Sequence, residues 1–371
     1  MTPLRLHTYV RLDIAGGKVK SLFGLAYDAW QRIGTHWGNN MTVTSRDVAL
    51  LAGVSQPTVS RALRDDSRVS DITKERVRQA ALQLGYVPSD AGRALSSGRT
   101  KRIGLLLTDL ENHFYPHIIG PAYAELEAQG YQLMLHTEAT DSFGVSDRLI
   151  SNGLDGVILA TTTVDSVVPL RLRDRGLPFV YLNRTSSGVA ADSAVVDPSQ
   201  GMVEVADELH KLGHRRVATI FGPTNTSTAV SRELALRDAL AHHGISIPSK
   251  YVARGPFNTT AGHDGALKLL SLAEPPTAII CGNDVVAFGA LNAARSFGAD
   301  VPGDVSIVGF DNLPTAEWPI IRLTTISYDL AAMVRESVNL LIQRIGGPKE
   351  PFAESVFPSE LIRRDTLGKA S

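Results

Sequence analysis

The stretch Ser55-Gln56-Pro57-Thr58-Val59-Ser60-Arg61 gathers side chains that suit nucleic-acid recognition. A glutamine amide can pair with an adenine edge and an arginine fork with a guanine edge, so Gln56 and Arg61 are candidate base readers. The hydroxyls of Thr58 and Ser60 can reach phosphate oxygens. Nothing comparable points to bond-breaking chemistry. No nucleophile with a base and an orienter, no P-loop and no dinucleotide fingerprint falls where an apolar run meets a helix. Cys281 is the single cysteine, which excludes an intrachain disulfide and an all-cysteine metal site. The ten histidines show no metal signature. His210 and His214 lack the glutamate of HExxH, so they and His242-His243 read as solvated surface, and neither metal nor cofactor is expected.

Reading bases in the major groove takes a helix that presents its N-terminal residues, and the local punctuation supplies one. Thr44 can cap a first helix with Asp47 three positions on, Val48, Ala49, Leu51 and Ala52 form its apolar stripe, and Gly53 ends it. Ser55 can cap the second, with Pro57 in the first turn, where a missing N–H costs little, and with Val59, Ala62 and Leu63 inward. A third helix over 70–84 buries Val77, Ala80, Ala81 and Leu84, and Gly85 stops it. The expected DNA-contacting set is Thr44, Ser55, Gln56, Pro57, Thr58, Ser60 and Arg61. For any one of them a solvated face of a helical hairpin is the competing role; for the whole string it is not.

The chain has 371 residues, beyond the ~250–300 at which a single core stops growing. At 43% apolar and 20% charged it is composed like an ordinary globular protein. After Ile103 short apolar runs (IGLLLTD, YQLMLHT, DGVILAT, LPFVYLN, RVATIFG, TAIICGND, VSIVGFD) alternate with helical stretches at 118–129, 202–212, 233–242 and 285–295. Continuous Val/Ile/Leu runs suit strands buried on both faces, so a doubly wound α/β region with parallel sheets is expected. Asp197-Pro198 offers a crossing between two lobes, and ligands in such sheets bind beyond the carboxyl ends of strands.

Charge is unevenly placed: residues 41–101 carry net +4 and residues 102–371 net −8. A basic head on an acidic body fits a phosphate-binding module attached to a sensor. No apolar stretch has the length of a membrane helix, and Asp28 interrupts the candidate signal run LFGLAY, so a cytoplasmic location is expected. Residues 1–40 show no strong pattern. Met41 directly precedes the first well-signalled helix, so 1–40 reads as an optional upstream extension, with a genuine N-terminal arm as the alternative.

Several long motifs in order, VTSRDVALLAGVSQPTVSRAL, ERVRQAALQLGYVPSDAGRALSSGRTKRIGLLL, HRRVATIFGP, AIICGNDVVAFGAL, VPGDVSIVGFDN and LTTI, resemble the LacI/GalR family of bacterial transcription regulators over residues 43–366. The resemblance implies a small all-α helix-turn-helix domain at 41–88, a hinge helix and linker at 89–101, and a periplasmic-binding-protein-like domain at 102–371. Its N-lobe would hold about 102–198 and 328–348, and its C-lobe about 199–327 and 349–366. It also implies that Leu95 wedges into the minor groove at the operator centre, kinking the duplex. Gly92, where the family prefers alanine, and Asp90, near phosphates, depart from the pattern. Glycine costs ~1 kcal/mol of helix stability, so the hinge helix is expected to form on DNA.

The same resemblance places an effector between the lobes, at Asp109, Phe114, Asn183, Arg232, Phe257, Asn283 and Asp311. Carboxylate, amide and guanidinium groups orient hydroxyls while aromatic faces cover C–H surface, so a sugar or derivative is the implied class. For Phe114 and Phe257 an ordinary core role competes, and Asp284 reads as the cap of the helix NDVVAFGAL. The function implied is a non-enzymatic, homodimeric repressor of a pseudo-palindromic operator, under allosteric control. A solute-binding protein would share the two lobes, but it would carry a signal peptide and lack residues 43–100.

Overall fold

The computed structural model describes residues 43–87, 98–108, 110–137, 143–347 and 351–371; the expectations for residues 1–42, Asp90, Gly92, Leu95 and Asp109 lie outside them. The chain divides after Ser96 into two compact units.

The first unit is three helices, α1 (Ser45–Ala52), α2 (Gln56–Leu63) and α3 (Asp71–Leu84). Thr44 and Asp47 form a capping box on α1, Ser55 accepts from the Thr58 amide to cap α2, and Ser70 caps α3 in the same way. Gly53 and Gly85 end α1 and α3 with left-handed backbone, which only a residue without Cβ adopts at no steric cost. Val48, Ala49, Ala52, Val59, Ala62, Val69, Val77, Ala80 and Ala81 form the core. Leu51 departs from its expected inward place and is 39% exposed. At 100° per residue it falls on the flank of the face that Val48, Ala49 and Ala52 turn to α3.

The second unit holds two six-stranded sheets in two lobes. The first lobe orders its strands β11-β5-β4-β3-β1-β2, from β1 (Arg102–Leu107), β2 (Gln132–Thr137), β3 (Gly156–Leu159), β4 (Phe179–Leu182), β5 (Asp192–Val196) and β11 (Glu354–Phe357). The second orders them β12-β10-β9-β8-β6-β7, from β6 (Val217–Phe221), β7 (Val252–Arg254), β8 (Ala278–Cys281), β9 (Ser306–Phe310), β10 (Thr324–Ser327) and β12 (Glu360–Ile362). Every pairing is parallel except β10 with β12. The fully buried runs of β3, β4, β6, β8 and β9 explain the unbroken apolar sequence.

Helices connect the strands: α4 (Pro116–Ala128), α5 (Phe143–Ser151), α6 (Val168–Asp174), α7 (Ser199–Lys211), α8 (Ser227–Ala241), α9 (Thr259–Leu270), α10 (Asp284–Phe297) and α11 (Leu330–Ile345). The chain crosses between lobes at 197–198, after β10 and again after β11. One lobe boundary needs correcting: residues 349–366 do not all belong to the second lobe. Glu354–Phe357 pairs with β5 in the first, and only Glu360–Ile362 joins the second. A four-residue strand at a sheet edge carries too little periodic signal to show its sheet from sequence.

In each lobe the strand order reverses at one point, between β1 and β3 and between β6 and β8. Connections leave on opposite faces there, opening a crevice at the carboxyl ends. The second crevice rests on the close crossing of α9 and α10. A Cβ on Gly289 would lie 2.0 Å from the Thr259 carbonyl oxygen, and one on Gly262 2.0 Å from that of Val286. Backbone cannot give way as a flexible side chain can. Gly289→Ala is therefore expected to cost ~1–3 kcal/mol, the range for overpacking. Thermal unfolding followed by circular dichroism should show a melting temperature several degrees lower; an unchanged one contradicts the packing argument.

Candidate nucleic-acid interface and inter-lobe cleft

On the helical head, Gln56, Pro57, Ser60 and Arg61 are exposed and Thr58 is half-buried, while Val59 and Ala62 fill the core behind them. Ser55 and Thr58 join through their hydroxyls at 2.8 Å, and the Gln56 amide donates to Ser45 Oγ at 2.9 Å, tying the start of α2 to α1. Thr44 hydrogen bonds to Asp47 Oδ2 through both its amide and its hydroxyl at 2.8 Å. The basic residues divide into two sets. Arg68 grips Asp66, and Lys74 and Arg78 meet at Asp65, each within 3.1 Å; Arg68 and Lys74 hold these carboxyls below their usual pKa range. Arg46, Arg61, Arg64 and Arg76 make no ion pair among the described residues; Arg64 donates to the Ser60 carbonyl, and the fork of Arg61, exposed on α2, is free for an external acceptor.

In the second unit, Phe114, Asn183, Arg232, Phe257, Asn283 and Asp311 line one chamber of about 20 Å³. It adjoins a cavity of about 740 Å³ bounded by both lobes. The lobes touch across this cleft: the Asn112 amide donates to the Phe257 carbonyl at 2.7 Å, Thr185 N to Ser227 Oγ at 3.0 Å, and Val164 N to the Asn225 carbonyl at 2.9 Å.

Strand geometry explains the convergence. Asn183 follows β4, Asn283 follows β8 and Asp311 follows β9, so parallel strands deliver all three at carboxyl ends. Asn183 (φ 65°), Asp311 (φ 113°) and Asn312 (φ 49°) take left-handed backbone, a conformation that costs ~1–3 kcal/mol and gathers at functional sites. The Asn183 side-chain oxygen is buried without a partner among the described residues. Phe257 sits against bare backbone: a Cβ on Gly222 would lie 2.2 Å from its ring and one on Gly282 3.0 Å. Half-buried and facing the cleft, it is no ordinary core phenylalanine, whereas Phe114 belongs both to the core and to the chamber wall.

Arg232 and Asp311, 5% and 2% exposed at their side chains, pair at 3.1 Å. Arg232 also donates to the Gly282 carbonyl at 2.6 Å and lies 3.7 Å over the Phe310 ring. The Tyr328 hydroxyl donates to the same Asp311 oxygen at 3.1 Å. Burial pushes the Asp311 carboxyl up to about 6 against the opposing pull of Arg232. Sequence reasoning missed Arg184, Asn112, Tyr115 and Thr228, which share the chamber. Arg184 stands directly after Asn183, so the rule about strand ends could have found it.

Two expectations need correcting. Asn283, not Asp284, caps α10: its side chain accepts from Val286 N at 2.9 Å. Asp284 is fully buried and clamps the loop that carries Asp311, accepting from Leu313 N at 2.7 Å and Thr325 Oγ1 at 2.5 Å. His214 is also fully buried, bonded to Thr277 Oγ1 and the Gly368 carbonyl, each at 2.9 Å, so it is a core connector and not solvated surface. Among the described residues no group of three or more ligating side chains could hold a metal ion, and no helix is long and apolar enough to cross a membrane.

Burial first, and then the neighbouring Asp311, pushes the Asp284 carboxyl up to about 8. The folded state thus keeps a proton that the unfolded chain loses, and this contribution weakens stability as pH rises from its ordinary 3.8 to about 8. Denaturant unfolding across that window should fall less steeply in Asp284→Asn, which stays neutral throughout, than in wild type. Equal slopes would contradict the buried clamp.

Comparison with known proteins agrees with both parts. The family described as "Bacterial regulatory proteins, lacI family" matches residues 44–89, and "Periplasmic binding protein-like domain" matches residues 206–367. The chain is 31% identical over 325 residues to the HTH-type transcriptional repressor CytR of Escherichia coli, covering 86% of this chain and 95% of that protein. It is 32% identical over 343 residues to the HTH-type transcriptional regulator MalR of Streptomyces coelicolor, covering 89% and 98%. Among solved structures, the Lac repressor dimer bound to operator and the anti-inducer ONPF superposes with a TM-score of 0.79 at 26% identity, covering 88% and 99%. The complex of the transcriptional regulator CelR with cellobiose gives 0.67 at 30%, covering 88% and 100%. A helix-turn-helix head with a free arginine, two parallel-sheet lobes around a polar cleft, and relatives matched over nearly their whole length lead to one conclusion: the chain belongs to the lacI family of bacterial regulatory proteins and is a DNA-binding transcription regulator.

Proposed function

We propose that the chain is a repressor whose operator affinity is set by a sugar-like effector held between its two lobes. One observation carries this reading: Phe114 and Asn183 from one lobe and Arg232, Phe257, Asn283 and Asp311 from the other surround a chamber that adjoins, at Phe257 and Arg184, the sugar-sized cavity of about 740 Å³ between the lobes. Polar groups that fix hydroxyls beside aromatic faces are what a polyol site needs. The cellobiose bound to CelR supports the class.

In this reading Gln56 and Arg61 read bases, Thr44, Ser55, Pro57, Thr58 and Ser60 set the head against the backbone, and Leu95 is the minor-groove wedge. Effector binding shifts the relation of the lobes and changes operator affinity by a coupling energy typically of ~1–3 kcal/mol. The working unit is a homodimer on a pseudo-palindrome, as the Lac repressor dimer on its operator suggests. Tyr123 on α4, with Leu135 on the neighbouring edge strand β2, supplies exposed apolar surface for it. The protein acts where the DNA is, in the cytoplasm, as a binding protein rather than an enzyme. Its one thiol, Cys281, is buried, and that burial raises its pKa far from nucleophilic use.

Arg61→Ala should weaken binding to a selected operator fragment by ~1–3 kcal/mol, the worth of a bidentate base contact, and leave effector affinity within twofold. Fluorescence anisotropy for DNA and calorimetry for effector check both halves; loss of effector binding would refute the division of labour. Titrating effector into free and operator-bound wild type tests the coupling, since reciprocity requires unequal affinities.

A further inference from the structure

Among the described residues Arg184 forms no ion pair. It is half-buried where β4 ends, and it lines both the inner chamber and the larger cavity. Its guanidinium lies 5.3 Å over the Phe257 ring, and among the described residues it makes no hydrogen bond or ion pair. Asp311, the carboxylate of the chamber, is already engaged by Arg232 and Tyr328. Of the chamber's two guanidiniums, that of Arg232 is thus paired and that of Arg184 is not, and Asp165 lies exposed on the outer cavity. Two neutral groups nearby are also unfulfilled: among the described residues Asn183 Oδ1 and Thr162 Oγ1 are buried without partners.

Resting on the inter-lobe effector reading, we propose that the effector is an anionic polyol, a sugar bearing one carboxylate or phosphate group, whose oxyanion is bound by Arg184. A guanidinium presents a rigid fork that meets two oxyanion oxygens at once, and such charge-assisted bonds are roughly twice as strong as neutral ones. Phe257 holds the fork from behind. Thr162, on the cavity wall, lends a hydroxyl, and Asn183 Oδ1 accepts from a sugar hydroxyl, so each unfulfilled group finds its complement in one molecule. Burial, more than any charge around it, disfavours the Arg184 cation, a cost that the bound anion offsets.

The test uses full-length protein and matched probes: glucose, glucuronate and glucose 6-phosphate, then ribose and ribose 5-phosphate, and cellobiose with cellobionate, screened by thermal shift and measured by calorimetry. At least one anionic member should bind tenfold or more tighter than its neutral partner, and the carboxylate and phosphate arms identify the oxyanion. Arg184→Gln should erase that preference and Arg184→Lys keep part of it. A merely structural role would weaken neutral and anionic probes alike and leave their ratio unmoved. If no anionic probe outbinds its neutral partner, the anion assignment is overturned and the inter-lobe site stands, and the same follows if the preference survives Arg184→Gln. A bound probe indifferent to both Arg184→Gln and Phe257→Ala overturns the inter-lobe site as well.

Discussion

A guanidinium and a carboxylate, each almost wholly removed from water, meet at 3.1 Å between α8 and the end of β9, and the cleft is built around them. Burying two charges costs several kcal/mol per ion, which the pair recovers only if the remaining donors and lone pairs are met. Here the Gly282 carbonyl, the Tyr328 hydroxyl and the Phe310 ring meet them. Each partner comes from a different part of the second lobe, so the pair fixes the ends of β8 and β9 and the start of the segment that crosses back after β10. Asp284 extends the scheme by holding the loop after Asp311 through Leu313 and Thr325.

With Asp311 committed to Arg232, the chamber keeps a polarity that its own residues do not satisfy. Stability alone would favour pairing or removing a buried amide oxygen such as that of Asn183. Left-handed backbone at Asn183, Asp311 and Asn312 adds strain at the same place. Unmet hydrogen bonds and strained dihedrals at strand ends are where folding and binding pull in opposite directions. The helical head shows the same division on a smaller scale: Arg68, Lys74 and Arg78 are tied to carboxylates that hold the helices together, and Arg61 is left out.

The head was legible in its own residues because its structure is local. Thr44 with Asp47, Ser55 with Thr58, and Gly53 and Gly85 act within three or four positions, and each lies where its type suggested. Leu51 was misplaced because its burial depends on which side of α1 the distant α3 covers. The α/β body was legible in its buried runs, β1, β3, β4, β6, β8 and β9. The short strands β5, β7, β11 and β12 and the helices α5, α6, α9 and α11 were not, because partners far along the chain stabilise them.

The kind of protein can be read along the chain: local caps and glycines wrote the head, apolar runs wrote two parallel sheets, and long ordered motifs carried the family resemblance. The resemblance also pointed to Asn183, Asn283 and Asp311, which the fold places just past the ends of β4, β8 and β9. What those residues do to one another depends on how remote segments pack. That Asn283 rather than Asp284 caps α10, that Asp284 clamps a loop 29 positions away, and that His214 reaches Gly368 follow from contacts between remote segments. The neutralisation of Arg232 and the isolation of Arg184 are of the same kind. A side chain's type limits the bonds it can make, but which groups stand within 3 Å of it is set by the packing of sheets and helices, to which neighbours in sequence contribute little.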